Sequence, residues 1–302
     1  MGVKAHAKLL LMGEHAAVYG SPAVGVGLPW TLEVDYAPGT AWDLPGLGAY
    51  ETPLRNLLAH FQQRCRLAGR AELAPGRLGV TTQVPLGSGF GSSGALCAAL
   101  ARLFFPRADL DQLDHEAWEA EKLFHGTPSG IDTVLALRPG WWALLPGRTP
   151  PQAQPLSPPR QTLVLGAVRR QGDTKALVGG LAQRRQRGEA LVVDALTELG
   201  ELAQAAIDTL SSDGGTLPGL VNRARQLLRS LGLESAELAS VLDAGLGEGA
   251  LAGKLSGAGG GGAWFLLFDD PLTATAALPA LRASVPAHLW TLEPCLVTAE
   301  AP

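Results

Sequence analysis

The chain has 302 residues, 46% hydrophobic and 17% charged, a balance that suits a globular protein with ample core and a length that favours two domains. Its 28 acidic and 24 basic residues leave a net charge of −4, which argues against a nucleic-acid surface, and no apolar run is long enough to span a membrane. The scattered Cys65, Cys97 and Cys295 offer neither a disulfide framework nor a zinc site, and the N-terminus lacks the layout of a secretory signal, so a reducing cytoplasm is expected.

In chain order, AHAKLLLM predicts a strand around residues 5–12 that turns at Gly13, and TLEVDYAP a second strand. PLRNLLAHFQQRCRLAG reads as an amphipathic helix closed by Gly69. RLGVTTQV, residues 77–84, predicts another strand, followed by the loop PLGSGFGSSG and the apolar helix ALCAALARLFF. LDHEAWEAEKLF, at 113–124, is helical, and IDTVLAL and GWWALLPG are shorter apolar elements. Six prolines crowd residues 146–160, where they block both helix and central strand, so this run is the expected domain junction. The strand TLVLGAV follows, then helices from Asp173 to about Gly247, the strand AWFLLF, a helix across TATAALPALRA and a strand near HLWTLEPCLV. Helices between few strands predict an α+β architecture.

The stretch Pro85, Leu86, Gly87, Ser88, Gly89, Phe90, Gly91, Ser92, Ser93 is the most informative in the sequence. Glycines let several amide groups turn towards one anion, the serines are expected to cap the next helix, and a helix N-terminus favours negative charge. The segment lacks the Lys of a Walker loop, and Gly91 follows Gly87 too closely for a dinucleotide fingerprint. A plain strand-to-helix turn is the competing explanation.

Other residues stand out for their chemistry. Lys8 lies in an apolar strand, either snorkelling to water from a sheet edge or holding an ammonium beside a reacting oxygen. Glu14 and His15 follow the turn at Gly13. In EKLFHGTPSGID, Glu121 and Asp132 flank a sharp turn, which suits one carboxylate to Mg²⁺ and the other to accepting a proton. GAGGGG, at 257–262, runs straight into a strand, as a backbone that closely approaches a ligand or a neighbouring loop does.

Taken together, KLLLMGEHAAVYG, PLGSGFGSSG and KLSGAGGGGA resemble the three ordered motifs of the GHMP kinases, and GEHAAVYGSPAV with FHGTPSGID resembles the mevalonate kinase branch. The resemblance spans residues 8 to 262. It implies a two-domain fold, with an N-terminal domain like part of ribosomal protein S5 (1–157) and a ferredoxin-like C-terminal domain with added helices (158–302). It further implies transfer of the γ-phosphoryl of ATP to the 5-hydroxyl of mevalonate, in a protein that is often a homodimer. In that pattern Asp132 is the catalytic base and Lys8 its neighbour, and residues 85–93 surround the nucleotide phosphates. Ser93 and Glu121 match Mg²⁺ ligands, and Glu14, His15, Thr174 and Gly259 lie near the acceptor.

The sequence departs from the pattern at several points. GFGSSG stands for the usual GLGSSA, and Ala263 stands where Cys is common. Ala17 replaces the Asp with which galactokinases hold sugar, and TLVLGAVRRQGDT lacks a frequent acidic-Thr-Gly sequence. Two rivals follow. One is a related kinase acting on phosphomevalonate, homoserine, a sugar or the 3-hydroxyl of mevalonate. A phosphorylated acceptor would call for a basic cluster, for which Arg169, Arg170, Arg184, Arg185 and Arg187 are the candidates, although helix surfaces often carry such residues. The other is a nucleotide-binding regulator without activity, which the presence of Lys8, Ser93, Glu121 and Asp132 disfavours.

Overall fold

The computed structural model describes residues 1–46, 48–170, 174–212, 217–284 and 291–297. The first half is built on a five-stranded antiparallel sheet. Strand β1 (Gly2–Met12) pairs with the long β2 (Ala23–Pro38), and β2 carries β3 (Gly76–Thr82) at one end and β4 (Gly140–Leu145) at the other. Helices α1 (Glu51–Leu67), α2 (Ser92–Phe104), α3 (Leu110–His125) and α4 (Ile131–Ala136) belong to this half. The proline-rich run does contain a strand, β5 (Gln152–Pro155). Among the described residues it pairs with β4 alone, the edge position in which missing amide hydrogens do no harm.

The second half follows the order β6 (Thr162–Val168), helices α5 (Thr174–Gln186), α6 (Ala190–Ser211), α7 (Leu217–Ser230) and α8 (Ala236–Gly247), then β7 (Ala252–Leu255), β8 (Gly262–Phe268), α9 (Pro271–Ser284) and β9 (Thr291–Val297). Its antiparallel sheet has the order β7-β8-β6-β9. That order, with helices inserted after β6 and β8, is the split arrangement of a ferredoxin-like domain, and the α+β expectation holds. β6 and β8 are buried at every position, so they read as continuous apolar runs without alternation. Strand β7 is only four residues long and was not legible as a separate element.

Glycines set the spacing between layers where the site is built. A Cβ at Gly27 would lie 1.8 Å from the Arg138 carbonyl oxygen, and one at Gly25 would lie 2.4 Å from Leu135 Cδ1. Bare backbone at these positions lets α4 and its C-terminal end rest directly on β2. On its other side α4 meets α2, where a Cβ at Gly94 would lie 3.1 Å from Asp132 Cβ. The end of α4 is fixed to α3 by the buried Arg138–Asp114 pair, bonded through both guanidinium nitrogens at 2.5 and 2.6 Å. Burial pushes the Asp114 carboxyl above its ordinary pKa, and the Arg138 hydrogen bonds oppose that shift. The position of Asp132 therefore rests on three glycine contacts and an ion pair.

Candidate active site

The phosphate-loop candidate leaves β3 and enters α2 through three left-handed glycines, Gly87, Gly89 and Gly91, with φ of 70°, 97° and 77°. Its middle is anchored on the first strand, because the Lys8 amide donates to the Phe90 carbonyl at 2.9 Å. The Phe90 ring is buried edge-on against Trp30, with centroids 5.1 Å apart, and Ser88 Oγ donates to the Pro85 carbonyl at 2.6 Å. Gly87, Gly89, Gly91, Ser92 and Ser93 line an open cleft of about 400 Å³, whereas Pro85, Leu86, Ser88 and Phe90 do not line it: Ser88 and Phe90 are buried and Leu86 is exposed.

One expectation needs correction. The serines do not cap α2: Gly91 occupies the N-cap with no side-chain hydrogen bond, and Ser92 and Ser93 are already the first residues of the helix. The first-turn amides thus have no side chain competing for them, which suits an anion seat better than a capped helix would. Ser93 Oγ instead contacts His125 Nε2 at 3.2 Å.

Lys8 and Asp132 meet in this cleft, with Nζ and Oδ1 3.1 Å apart. Lys8 is 4% exposed, whereas the Asp132 side chain keeps 32% of its surface, so the carboxylate is the member of the pair that an incoming molecule reaches. Glu121 lines the same cleft from α3. Burial, and then the Asp132 charge, push its carboxyl well above the usual carboxylate range. Its Oε2 is buried without a hydrogen-bond partner.

Glu14 and His15 close another part of the wall. Glu14 is wholly buried and ion-paired with Lys254 of β7, which also donates to the Leu255 carbonyl at 2.9 Å. His15, held at φ 60°, has its Nε2 3.1 Å from the Ala258 carbonyl, and burial depresses its pKa to about 4. Nearby, the Leu10 amide donates to Ser256 Oγ at 2.9 Å. The first motif is thus tied to the third at three places. Gly259 does not line the cleft; a Cβ there would lie 2.6 Å from the Leu233 carbonyl, so its bare backbone serves packing. The side chain of Thr174 lies outside the described residues.

Nothing in the sequence marks a role for Lys254, Ser256 or His125, and Arg170 stands there only as one of a candidate basic cluster. That cluster does not converge. Arg184 pairs with Glu189, the Arg185 guanidinium lies 4.0 Å from the centre of the Tyr19 ring, Arg187 is exposed, and of these five arginines Arg170 alone lines the cleft.

Comparison with known proteins agrees with this geometry. Residues 54–140 match the model of the GHMP kinases N-terminal domain, and residues 192–287 match that of the GHMP kinases C-terminal domain. The mevalonate kinase of Aeropyrum pernix is 30% identical over 87% of either chain. Among solved structures, L. major mevalonate kinase in complex with R-mevalonate superposes with a TM-score of 0.75 at 23% identity, covering 97% of this chain and 96% of that one. Streptococcus pneumoniae phosphomevalonate kinase, bound to phosphomevalonate and AMPPNP, superposes with a TM-score of 0.80 at 16% identity, covering 98% and 100%. At those identities the two structures speak for the fold. With both domain models matched in order, the chain belongs to the GHMP kinase family.

Proposed function

We propose that this protein transfers the γ-phosphoryl group of ATP to the 5-hydroxyl of mevalonate, forming 5-phosphomevalonate and ADP. The observation that carries the reading is the Lys8–Asp132 pair, 3.1 Å apart beside the glycine loop. Phosphoryl transfer relies on alignment and on neutralising charge, and both are supplied where a phosphate loop, a carboxylate and an ammonium converge. The amides at the start of α2 hold phosphate oxygens. Asp132 accepts the hydroxyl proton as the acceptor oxygen attacks, and Lys8, 3.1 Å from it, stabilises the developing alkoxide.

Mg²⁺, which the family implies, suits the donors present. Glu121 has an unsatisfied buried oxygen, the Ser93 hydroxyl lines the same cleft, and Mg²⁺ prefers hard oxygen ligands together with phosphate. Bound there, the ion would neutralise charge on the triphosphate.

Three observations support mevalonate over its rivals. The Aeropyrum pernix relative bears the name mevalonate kinase. Ala17 lines the cleft where a sugar-binding Asp would be required. Among the described residues, Arg169, Arg170, Arg184, Arg185 and Arg187 do not gather into a basic cluster for an acceptor that already carries phosphate. We place the domain division between residues 157 and 158, after β5 ends and before β6 begins. A cytoplasmic setting fits the free, buried thiols of Cys65 and Cys97.

Screening mevalonate, phosphomevalonate, homoserine and sugars by ADP release, with phosphorus NMR of the product, tests the assignment. Mevalonate should turn over fastest and carry its phosphate on the 5-oxygen. Preference for another acceptor, or phosphate on the 3-oxygen, would overturn it.

A further inference from the structure

We propose that Arg170 is a further catalytic residue, whose guanidinium neutralises the phosphoryl group in flight at the Gly89 end of the phosphate loop, while Lys8 serves the acceptor oxygen at the Gly91 end. The inference rests on the kinase reading but not on the choice of acceptor. Arg170 stands two residues beyond β6, in the segment where the sequence departs from its relatives' pattern.

Two alternate glycines of the loop each leave room for a cation. A Cβ at Gly91 would lie 2.7 Å from Lys8 Cγ, and a Cβ at Gly89 would lie 3.1 Å from Arg170 Nη2. From the third motif, a Cβ at Gly262 would lie 2.9 Å from Arg170 Nε. The half-buried guanidinium is therefore wedged between the loop that seats phosphate and the glycines of the third motif, and it lines the cleft. Asp132 lies within electrostatic reach: burial lowers the Arg170 pKa and the Asp132 carboxylate opposes that shift. A planar cation between phosphate loop and base is well placed to meet the non-bridging oxygens of a transferring phosphoryl group.

In that step the acceptor oxygen bonds to the γ-phosphorus as the bond from phosphorus to the β,γ-bridging oxygen breaks. The electron pair leaves on ADP, the hydroxyl proton passes to Asp132, and Arg170 faces the oxygens that gain charge.

The test compares wild type with Arg170→Gln and Arg170→Lys. Affinities for the magnesium complexes of AMPPNP and ADP are measured without acceptor, and steady-state kinetics are run on whichever acceptor turns over. For Arg170→Gln, kcat should fall by about 10³-fold with little change in acceptor KM, and the preference for AMPPNP over ADP should shrink at least about tenfold. Arg170→Lys should recover part of kcat, and melting temperatures should stay close to wild type. Unchanged kcat together with an unchanged nucleotide preference would overturn the proposal. A rise confined to acceptor KM would also overturn it, by assigning Arg170 to the acceptor. If wild type turned over an acceptor other than mevalonate, the reading of substrate would fail while this test stood.

Discussion

The space that a side chain at Gly91 would need is filled by Lys8: a Cβ there would lie 2.7 Å from Lys8 Cγ and 3.1 Å from Lys8 Cε. The glycine loop is thus shaped as much by the cation beneath it as by the anion it is built to seat. Gly91 also has φ of 77°, which a residue with a Cβ adopts only under strain. Gly91→Ala should push Lys8 away from Asp132, lowering kcat at least about tenfold and stability by roughly 1–3 kcal/mol. Kinetics and thermal melts check both, and unchanged kcat would separate the loop from the lysine.

Glu121 is expected to hold the metal. Glu121→Ala should raise the Mg²⁺ concentration needed for half-maximal rate and, with it, the apparent KM for ATP. Titrating Mg²⁺ at fixed ATP measures this. An unchanged metal requirement would remove Glu121 from the role.

The Glu14–Lys254 pair ties the turn after β1 to β7 with both side chains fully buried. Lys254→Met would leave the Glu14 carboxylate in a dry site and should cost about 3–5 kcal/mol. The double variant Glu14→Gln with Lys254→Met should recover much of that loss. Urea unfolding of the single and double variants checks the coupling, and equal losses in both would show that the pair is not the cause.

His15 predicts acid sensitivity of the fold. Its folded pKa, about 4, lies below the 6.5 of an exposed histidine, so the unfolded chain takes up its proton first as pH falls. The stability associated with neutral His15 is complete above about pH 6.5 and is lost between there and pH 4, up to about 3 kcal/mol. Burial shifts His6 and His60 the same way. His15→Asn, whose side chain tolerates the left-handed backbone, should lose less stability than wild type between pH 7 and pH 4.5 in urea titrations. An identical loss would place the sensitivity elsewhere.

Much of the site is legible in the sequence because its parts are local. Glycine and serine spacing reveals the loop, a lysine inside an apolar strand stands out, and Glu121 and Asp132 bracket one turn. Contacts between distant segments leave no such trace. Glu14 and Lys254 are 240 positions apart, and nothing in KLSGAGGGGA announces that its lysine reaches back to the first motif. The serines after Gly91 resemble a cap in sequence, yet the left-handed glycine takes that position first. Arg170 looks like a surface residue until Gly89 and Gly262 are seen to make room for it. The edge strand β5 was hidden because proline excludes only the ladder bonds that an edge strand can do without.

The central claim is that Asp132, held beside Lys8, takes the proton from the acceptor. Its most direct test is kcat of Asp132→Asn, measured alongside ATP affinity. Turnover should fall by about 10²–10⁴-fold with ATP still bound, as removal of a general base does. Near-normal turnover in Asp132→Asn would contradict the account.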